Sequence, residues 1–379
     1  MKSFKTIQII TLLLFIVIVS CKKESKNKVL INENKKDLEI LVGTYTKEKS
    51  KGVYKLQMNS NTGEFQKEVL VAELSNPSYL TTSKNNEFVY VIQENDPGTI
   101  VSFKWNKDKT ELVQLSTLPT NGKHPCYVSL NSDENLVAVG NYSSGNISVY
   151  NVSNKGVFNS SIQTKKHEGK GTILPNQENP HAHCTTFYNN KFLYAVDLGI
   201  DEILCYPIHN SILENKKTAL KTDSGDGPRH LVFHSTKKIA YLINEFSNSI
   251  IVSKINEATG VFNRIQKIST LPKDFIGKSF SADIHLSKDG NFLYASNRGH
   301  NSIATFSVTN EGKLTLINHI STGGNWPRNF ALSKDNKFLV VANQKSNNIV
   351  VFKRDKEKGT LKSTEHEIEI SIPVFLKFL

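Results

Sequence analysis

Between Ser281 and Val308 the apolar and polar residues follow a short grammar. Residues 282–286 are apolar enough for a strand, and Ser287-Lys288-Asp289-Gly290 reads as a turn whose glycine can take positive φ. Residues 292–296 form a second apolar run, and Asn297-Arg298-Gly299-His300 forms a polar loop. Residues 302–308 alternate apolar and polar, as a half-buried strand does.

The chain repeats this unit. Small or polar openings at Asn76-Pro77-Ser78, His124-Pro125-Cys126, His181-Ala182-His183, Gly227-Pro228-Arg229-His230 and Trp326-Pro327-Arg328-Asn329 each precede an apolar run. These runs occupy residues 88–92, 136–139, 192–196, 239–243 and 338–342. The openings recur every ~45–57 residues, close to the period of a four-stranded propeller blade. Seven hairpin tips accompany six openings: Thr62-Gly63, Lys109-Thr110, Lys155-Gly156, Asn215-Lys216, Thr259-Gly260, Glu311-Gly312 and Lys358-Gly359. Residues 40–45 then read as a middle strand short of a partner, which the strand-like tail, 367–378, can supply. The sequence therefore predicts an all-β, seven-bladed β-propeller whose N- and C-terminal strands share one blade and so protect the free edges.

Two segments precede it. Residues 1–20 combine Lys2 and Lys5 with an apolar run, 9–19, that is short for a membrane span and suited to a signal peptide. Ile18-Val19-Ser20-Cys21 resembles a bacterial lipobox, which makes Cys21 a lipidation site and residues 21–36 a polar tether. The expected product is an exported lipoprotein, held at the membrane through Cys21, with residues 37–379 as one propeller domain. Cys126, Cys184 and Cys205 have no paired spacing and read as small buried apolar residues. The net charge of +12 is spread over turns and outer strands without aromatic interleaving, so a nucleic-acid partner is not expected.

Candidate chemistry follows from topology. The start of each inner strand and the end of its antiparallel neighbour lie on one face of a propeller. Strand starts offer His181, His183, Arg229, Asp283, His285 and Arg328, and strand ends offer Glu245, Arg298 and His300. The chain has only five arginines, and Arg229, Arg298 and Arg328 are three of them. A guanidinium fork binds carboxylate or phosphate at two points, which lysine cannot copy. His181 and His183, two apart, could share a strand face and hold a metal with Asp197, Asp283 or His285, but no spacing selects a third ligand. No metal or cofactor is therefore expected. Glu245, after a strongly apolar strand, could act as a base or orient an arginine. Asp197 and Asp283 suit turn-capping or blade-bridging roles.

Ten short stretches in order then carry a resemblance: Val42-Gly43-Thr44-Tyr45-Thr46, Asn76-Pro77-Ser78-Tyr79-Leu80, His124-Pro125-Cys126-Tyr127-Val128, Pro180-His181-Ala182-His183, Asp197-Leu198-Gly199, Gly227-Pro228-Arg229-His230, Asn244-Glu245, Ala282-Asp283-Ile284-His285, Ser296-Asn297-Arg298-Gly299-His300 and Pro327-Arg328-Asn329-Phe330. Over residues 40–379 the chain resembles the bacterial lactonase family of seven-bladed propellers, the 6-phosphogluconolactonase type that also includes carboxy-muconate cyclases. The resemblance implies a metal-independent site built on a histidine of the Pro-His-Ala-His stretch, Arg229, Glu245 and Arg298. The implied activity is hydrolysis of a small anionic sugar-acid lactone. Within it His183 activates water with Glu245 as its rival, Arg298 polarises the carbonyl, and Arg229 holds the anionic end of the substrate. His181, Asp283, His285, His300 and Arg328 complete the expected binding set. A lactonising cycloisomerase and a non-catalytic exported scaffold are the competing readings, since propellers host many functions.

Overall fold

A computed structural model describes residues 37–379; the leader, the tether and Cys21 lie outside the described residues. Seven antiparallel sheets, six of four strands and one of five, follow one another along the chain. Blades one to six occupy residues 79–119, 125–166, 182–221, 228–269, 280–321 and 327–369, each ordered from inner to outer strand. Blade seven takes its inner strand from the C-terminus: Pro373–Phe378 pairs with Leu38–Thr44, with Leu41 opposite Lys377. Gly52–Met58 and Phe65–Glu73 complete it. The ends of the chain thus close the ring as expected. The donated strand is shorter than the tail suggested, because residues 367–369 finish the outer strand Leu361–Glu369 of blade six.

Blade three also departs from the sequence reading. Its hairpin turns at Asn210-Ser211, not at Asn215-Lys216, and adds a short strand, Ile212–Leu213. Gln163 of blade two fixes it: its side-chain amide donates to Ser211 O and accepts from Leu213 N, each at 2.8 Å.

Blades are locked by hairpin tips resting on the preceding blade. Tyr194, Tyr241 and Tyr294, all buried, donate their hydroxyls to the carbonyls of Gly260, Gly312 and Gly359 at 3.0, 2.9 and 2.7 Å. Gly359 has φ +72°, and a Cβ there would meet the Phe292 ring at 2.1 Å, so this tip requires glycine. Between blades the second and third strands pack into apolar clusters, for example Tyr241, Ile243 and Ile250 against Leu293, Ala295 and Phe306. Burying each such side chain contributes roughly 1.5–3 kcal/mol before entropy is counted. Cys126, Cys184 and Cys205 are unpaired and buried.

One recurrent contact positions the site. The second strands end in Thr44, Gln93, Asn141, Asp197, Asn244 and Asn343 in six blades. The backbone N–H of the next residue donates to the carbonyl of the residue that opens the inner strand. The pairs are Tyr45 to Ile372, Glu94 to Asn76, Tyr142 to His124, Leu198 to His181, Glu245 to Gly227 and Gln344 to Trp326. The strand-end residue itself turns into the blade: Asn141 and Asn343 donate to Thr120 O and Thr322 O, and all but Gln93 have zero exposure. The residue after it is therefore directed toward the channel mouth, as Tyr45, Glu94 and Gln344 are, whereas Leu198 of blade three is fully buried.

Candidate active site

At this end of the channel Tyr45, Glu94, His124, Arg298, Trp326 and Arg328 help to line a cavity of about 520 Å³. Arg298 closes the strand Phe292–Arg298. Its Nη2 lies 2.8 Å from Glu245 Oε2, its Nε donates to Phe280 O at 3.2 Å, and its guanidinium lies 5.5 Å from the centre of the Trp326 ring. Burial, joined by the charges of Arg229 and Arg328, outweighs Glu245 and lowers the Arg298 pKa to about 10, which still leaves it charged at neutral pH.

Arg229 lies deeper, with 2 % of its side chain exposed. Nε donates to Glu245 Oε2 at 2.9 Å, and Nη1 donates to Ala282 O at 2.5 Å and to His230 Nε2 at 3.1 Å. The expectation that Arg229 holds the anionic end of a substrate therefore meets a side chain whose Nε and Nη1 already serve the protein. Burial would raise the Glu245 carboxyl, but Arg298 and Arg229 outweigh burial and hold it below the usual carboxylate range. Both arginines use Oε2; Oε1 accepts no hydrogen bond from any described residue.

Arg328 is different. It makes no hydrogen bond and no ion pair with any described residue; its guanidinium sits 5.7 Å from the Tyr45 ring centre. Burial opposes its charge, yet Tyr45, Glu94 and Glu245 around it outweigh burial and raise its pKa. Tyr45 in turn donates its hydroxyl to Glu94 Oε2 at 2.9 Å. Two carboxylates thus serve three guanidiniums, and Arg328 presents an unshared fork to the cavity.

The two histidines of the Pro-His-Ala-His stretch diverge. The strand Ala182–Tyr188 begins after His181, and its register shifts between Ala182 and Cys184. The two-residue rule for a common face therefore fails here. His181 stacks on Tyr142 at 4.3 Å, and its Nδ1 meets Tyr142 O at 2.9 Å. His183 is buried beside Cys126, with Nδ1 3.8 Å from Sγ, and meets the Tyr142 ring edge-on at 5.6 Å. Burial, then the Arg229, His230 and Arg328 charges, lowers its pKa well below the ordinary imidazole value. Among the described residues no group of three or more His, Cys, Asp or Glu side chains is arranged to hold a metal ion.

Three residues of the expected binding set are elsewhere, although Asp283 does take the blade-bridging role also expected of it. Asp283 lies inside the channel, where its carboxylate meets His230 Nδ1, His285 Nε2 and Asn329 Nδ2 at 2.9, 2.9 and 2.5 Å. Blade five lacks the usual opening turn: Phe280 pairs with Arg298, and the register shifts between Ser281 and Ile284. Asp283 N consequently donates to Ser296 Oγ, and its side chain turns inward. His285, two residues and roughly 6.6 Å further along the strand, lines a cavity at the opposite end of the channel. His300 packs in an outer loop, bonded to Ser302 Oγ at 2.6 Å and edge-on to Phe275 at 4.7 Å. Asp197 serves the fold, accepting from His181 N, Gly199 N and His167 Nδ1.

Sequence reasoning passed over Tyr45, Tyr142, Trp326 and His230. The first two follow a strand-end polar residue, the position that carries Glu94, Glu245 and Arg298 in other blades. That register was the available signal.

Comparison with known proteins agrees with this architecture. The family profile described as "Lactonase, 7-bladed beta-propeller" matches residues 39–378. A 6-phosphogluconolactonase of Bacillus subtilis is 37% identical over 341 residues, covering 89% of this chain and 97% of its own. The structure of the periplasmic gluconolactonase of Pseudomonas aeruginosa superposes with a TM-score of 0.85 at 32% identity, covering 91% of this chain and 99% of its own. A Lactobacillus plantarum protein gives 0.85 at 33% identity, covering 91% and 100%. The chain belongs to the lactonase family of seven-bladed β-propellers.

Proposed function

We propose that this protein hydrolyses a sugar-acid lactone at the arginine-lined end of its channel. The observation that carries the reading is the excess of guanidinium over carboxylate there, with Arg328 unshared and Arg298 only partly committed. A lactone is an ester. Water adds to its carbonyl carbon, the carbonyl oxygen becomes an oxyanion, and the ring C–O bond then breaks to leave a carboxylate and a hydroxyl. Arg298 faces the developing oxyanion, and Arg328 holds an anionic or hydroxyl-rich end of the substrate. Trp326 offers the sugar ring an apolar wall beside Arg298.

Water must lose a proton as it adds. Glu245 and His183 are both unprotonated at neutral pH by the pKa directions above. Glu245 has the better placed acceptor, because Oε1 is unengaged and its side chain is 16 % exposed, whereas His183 is 4 % exposed. Glu245 is a weak base for the same reason that it is ionised, so it orients water, accepts its proton late, once the oxyanion forms against Arg298, and returns that proton to the departing ring oxygen. His183 and His181 shape the wall through Tyr142.

The named relatives act on 6-phosphogluconolactone or are called gluconolactonase, which favours a six-carbon aldonic lactone. Residues 1–20 and Cys21 add an exported, lipid-anchored location, which favours the unphosphorylated lactone. Wild-type protein, and not Cys21→Ala, then incorporates labelled fatty acid. The test of the activity is turnover of glucono-δ-lactone, its 6-phosphate and muconolactone, each corrected for spontaneous opening. Aldonic lactones should be opened fastest. Rates no higher than those of Arg298→Ala on every substrate would remove the proposal.

A further inference from the structure

The channel does not run open from end to end. Tyr79 lies 4.3 Å from Tyr127 and 4.0 Å from Phe375 between ring centres, and Tyr127 lies 5.2 Å from His230. These rings, with the Asp283 cluster, separate the arginine end from a second cavity of about 470 Å³. That cavity shares no lining residue with the first.

Its charge has one sign. Lys288, Lys334, Lys377 and His285 line it, and among the described residues no carboxylate does. The three lysines come from three successive blades. Lys288 and Lys334 occupy equivalent turns between the first and second strands of blades five and six, and Lys377 lies on the inner strand of blade seven. None of the three Nζ atoms has a hydrogen bond or ion pair with a described residue. The lysine of the equivalent turn in blade one behaves otherwise: Lys84 Nζ donates to Ser132 O at 2.7 Å. Lys377 is half-buried, and burial together with Lys334 lowers its pKa. His285 commits Nε2 to Asp283 at 2.9 Å, while its Nδ1 has no partner among the described residues.

Lys334 also borders a neighbouring cavity that Asp37 and Glu39 line, but cations gathered around a concave space with aromatic walls and no carboxylate in its own lining favour an anion there. A solvated face of dispersed lysines would not place one of them half-buried against another. We infer that this end of the channel is a second, non-catalytic binding site for a small anion with two or more carboxylate or phosphate groups. The ammoniums on three blades set the requirement for more than one anionic group, and Tyr79, Tyr127 and Phe375 form the floor. This inference stands apart from the lactonase reading, since it uses neither Glu245 nor any arginine.

The test is calorimetric titration of the full chain at low salt with two probes, citrate and pyrophosphate. Wild-type protein, Lys334→Gln/Lys377→Gln and Arg328→Gln are compared. The lysine pair should lose at least about tenfold in affinity for one probe or both, the scale of one lost charge-assisted contact. Its lactone turnover should stay at the wild-type level, and Arg328→Gln should keep this binding. The stronger probe identifies the anion class. Equal affinity in wild type and the lysine pair, loss of all binding in Arg328→Gln, or no binding in wild type would each overturn the inference. Should the pair fold poorly, Lys288→Gln/Lys334→Gln, both on exposed turns, repeats the comparison with the same expected loss.

Discussion

Arg298 and Glu245 form the central ion pair of the arginine end, Nη2 to Oε2 at 2.8 Å. The same oxygen accepts from Arg229 Nε, so one carboxylate orders two guanidiniums from different blades. Arg229 also holds the Ala282 carbonyl of the next blade, and its Nε and Nη1 are used up. The two arginines should therefore fail differently. Arg298→Lys keeps the charge but loses the fork, and should lower kcat by roughly two to three powers of ten, as loss of an oxyanion donor does. It also gives up the bonds to Phe280 O and Ser281 O, so Tm should fall, but by less than for the more deeply buried Arg229. Arg229→Lys should lower Tm, because an ammonium cannot keep the Glu245, Ala282 O and His230 Nε2 bonds of the buried fork together. Thermal melts and kinetics on the same two samples decide. A stable, slow Arg229→Lys beside an unstable, active Arg298→Lys would reverse these assignments.

Arg328 carries the substrate-binding prediction. Arg328 makes no hydrogen bond with a described residue, but Tyr45, Glu94 and Glu245 stabilise its charge, so Arg328→Gln should lower Tm, though by less than a substitution that breaks a buried hydrogen-bonded pair. It should raise KM about tenfold or more with kcat nearly unchanged, the signature of uniform binding lost. An unchanged KM on every lactone tested would mean that the unshared fork faces solvent only.

Much of this was legible in the chain because blades repeat. Hairpin tips and strand openings gave the blade count, and the unpartnered strand at 40–45 pointed to closure by the tail. The convergence of Arg298 and Arg328 at one mouth followed from strand direction alone. What failed was side-chain direction at irregular backbone. A register shift at Ala182/Cys184 parts His181 from His183, and another at Ser281/Ile284 carries Asp283 into the channel and His285 to its far end. A period of two holds only while the ladder is regular. Arg229 does meet Arg298 at Glu245, but its bonding was not legible. Sequence shows that an arginine opens a strand, but not that a carbonyl of the next blade waits 2.5 Å away.

That parting of the histidines bears on metal. His181 is occupied with Tyr142 O, and His183 lies against Cys126, so the two imidazoles do not face one ion. Dialysis against a strong chelator should leave lactone turnover unchanged, and adding Zn²⁺ or Ca²⁺ should not raise it. A rate that falls on chelation and returns with a divalent ion would assign the mouth oxygens, Glu94 and Glu245 among them, to a metal site.

The last prediction concerns acid stability and rests on His230. Its Nδ1 faces the Asp283 carboxylate, while its Nε2 faces a donor, Arg229 Nη1. Nε2 must therefore accept, so the ring is neutral with its proton on Nδ1. A second proton would set N–H against N–H beside a guanidinium, with the His183 ring 5.3 Å away and Tyr127 closing another side. Burial first, then the Arg229 charge, overcomes the pull of Asp283 and lowers the His230 pKa to about 4. An unfolded histidine titrates near 6.5. Between these values the unfolded chain binds more protons than the folded one, so stability must fall as pH falls through the window, by roughly 3 kcal/mol for this group. His183, lowered for the same physical reason, adds in the same direction. Denaturant midpoints measured from pH 7 to pH 4.5 should therefore decline for the wild type and decline less steeply for His230→Gln, whose amide can keep both hydrogen bonds without titrating. If His230 were instead a cation stabilised by Asp283, the wild type would gain stability from it on acidification, and His230→Gln would show the steeper decline.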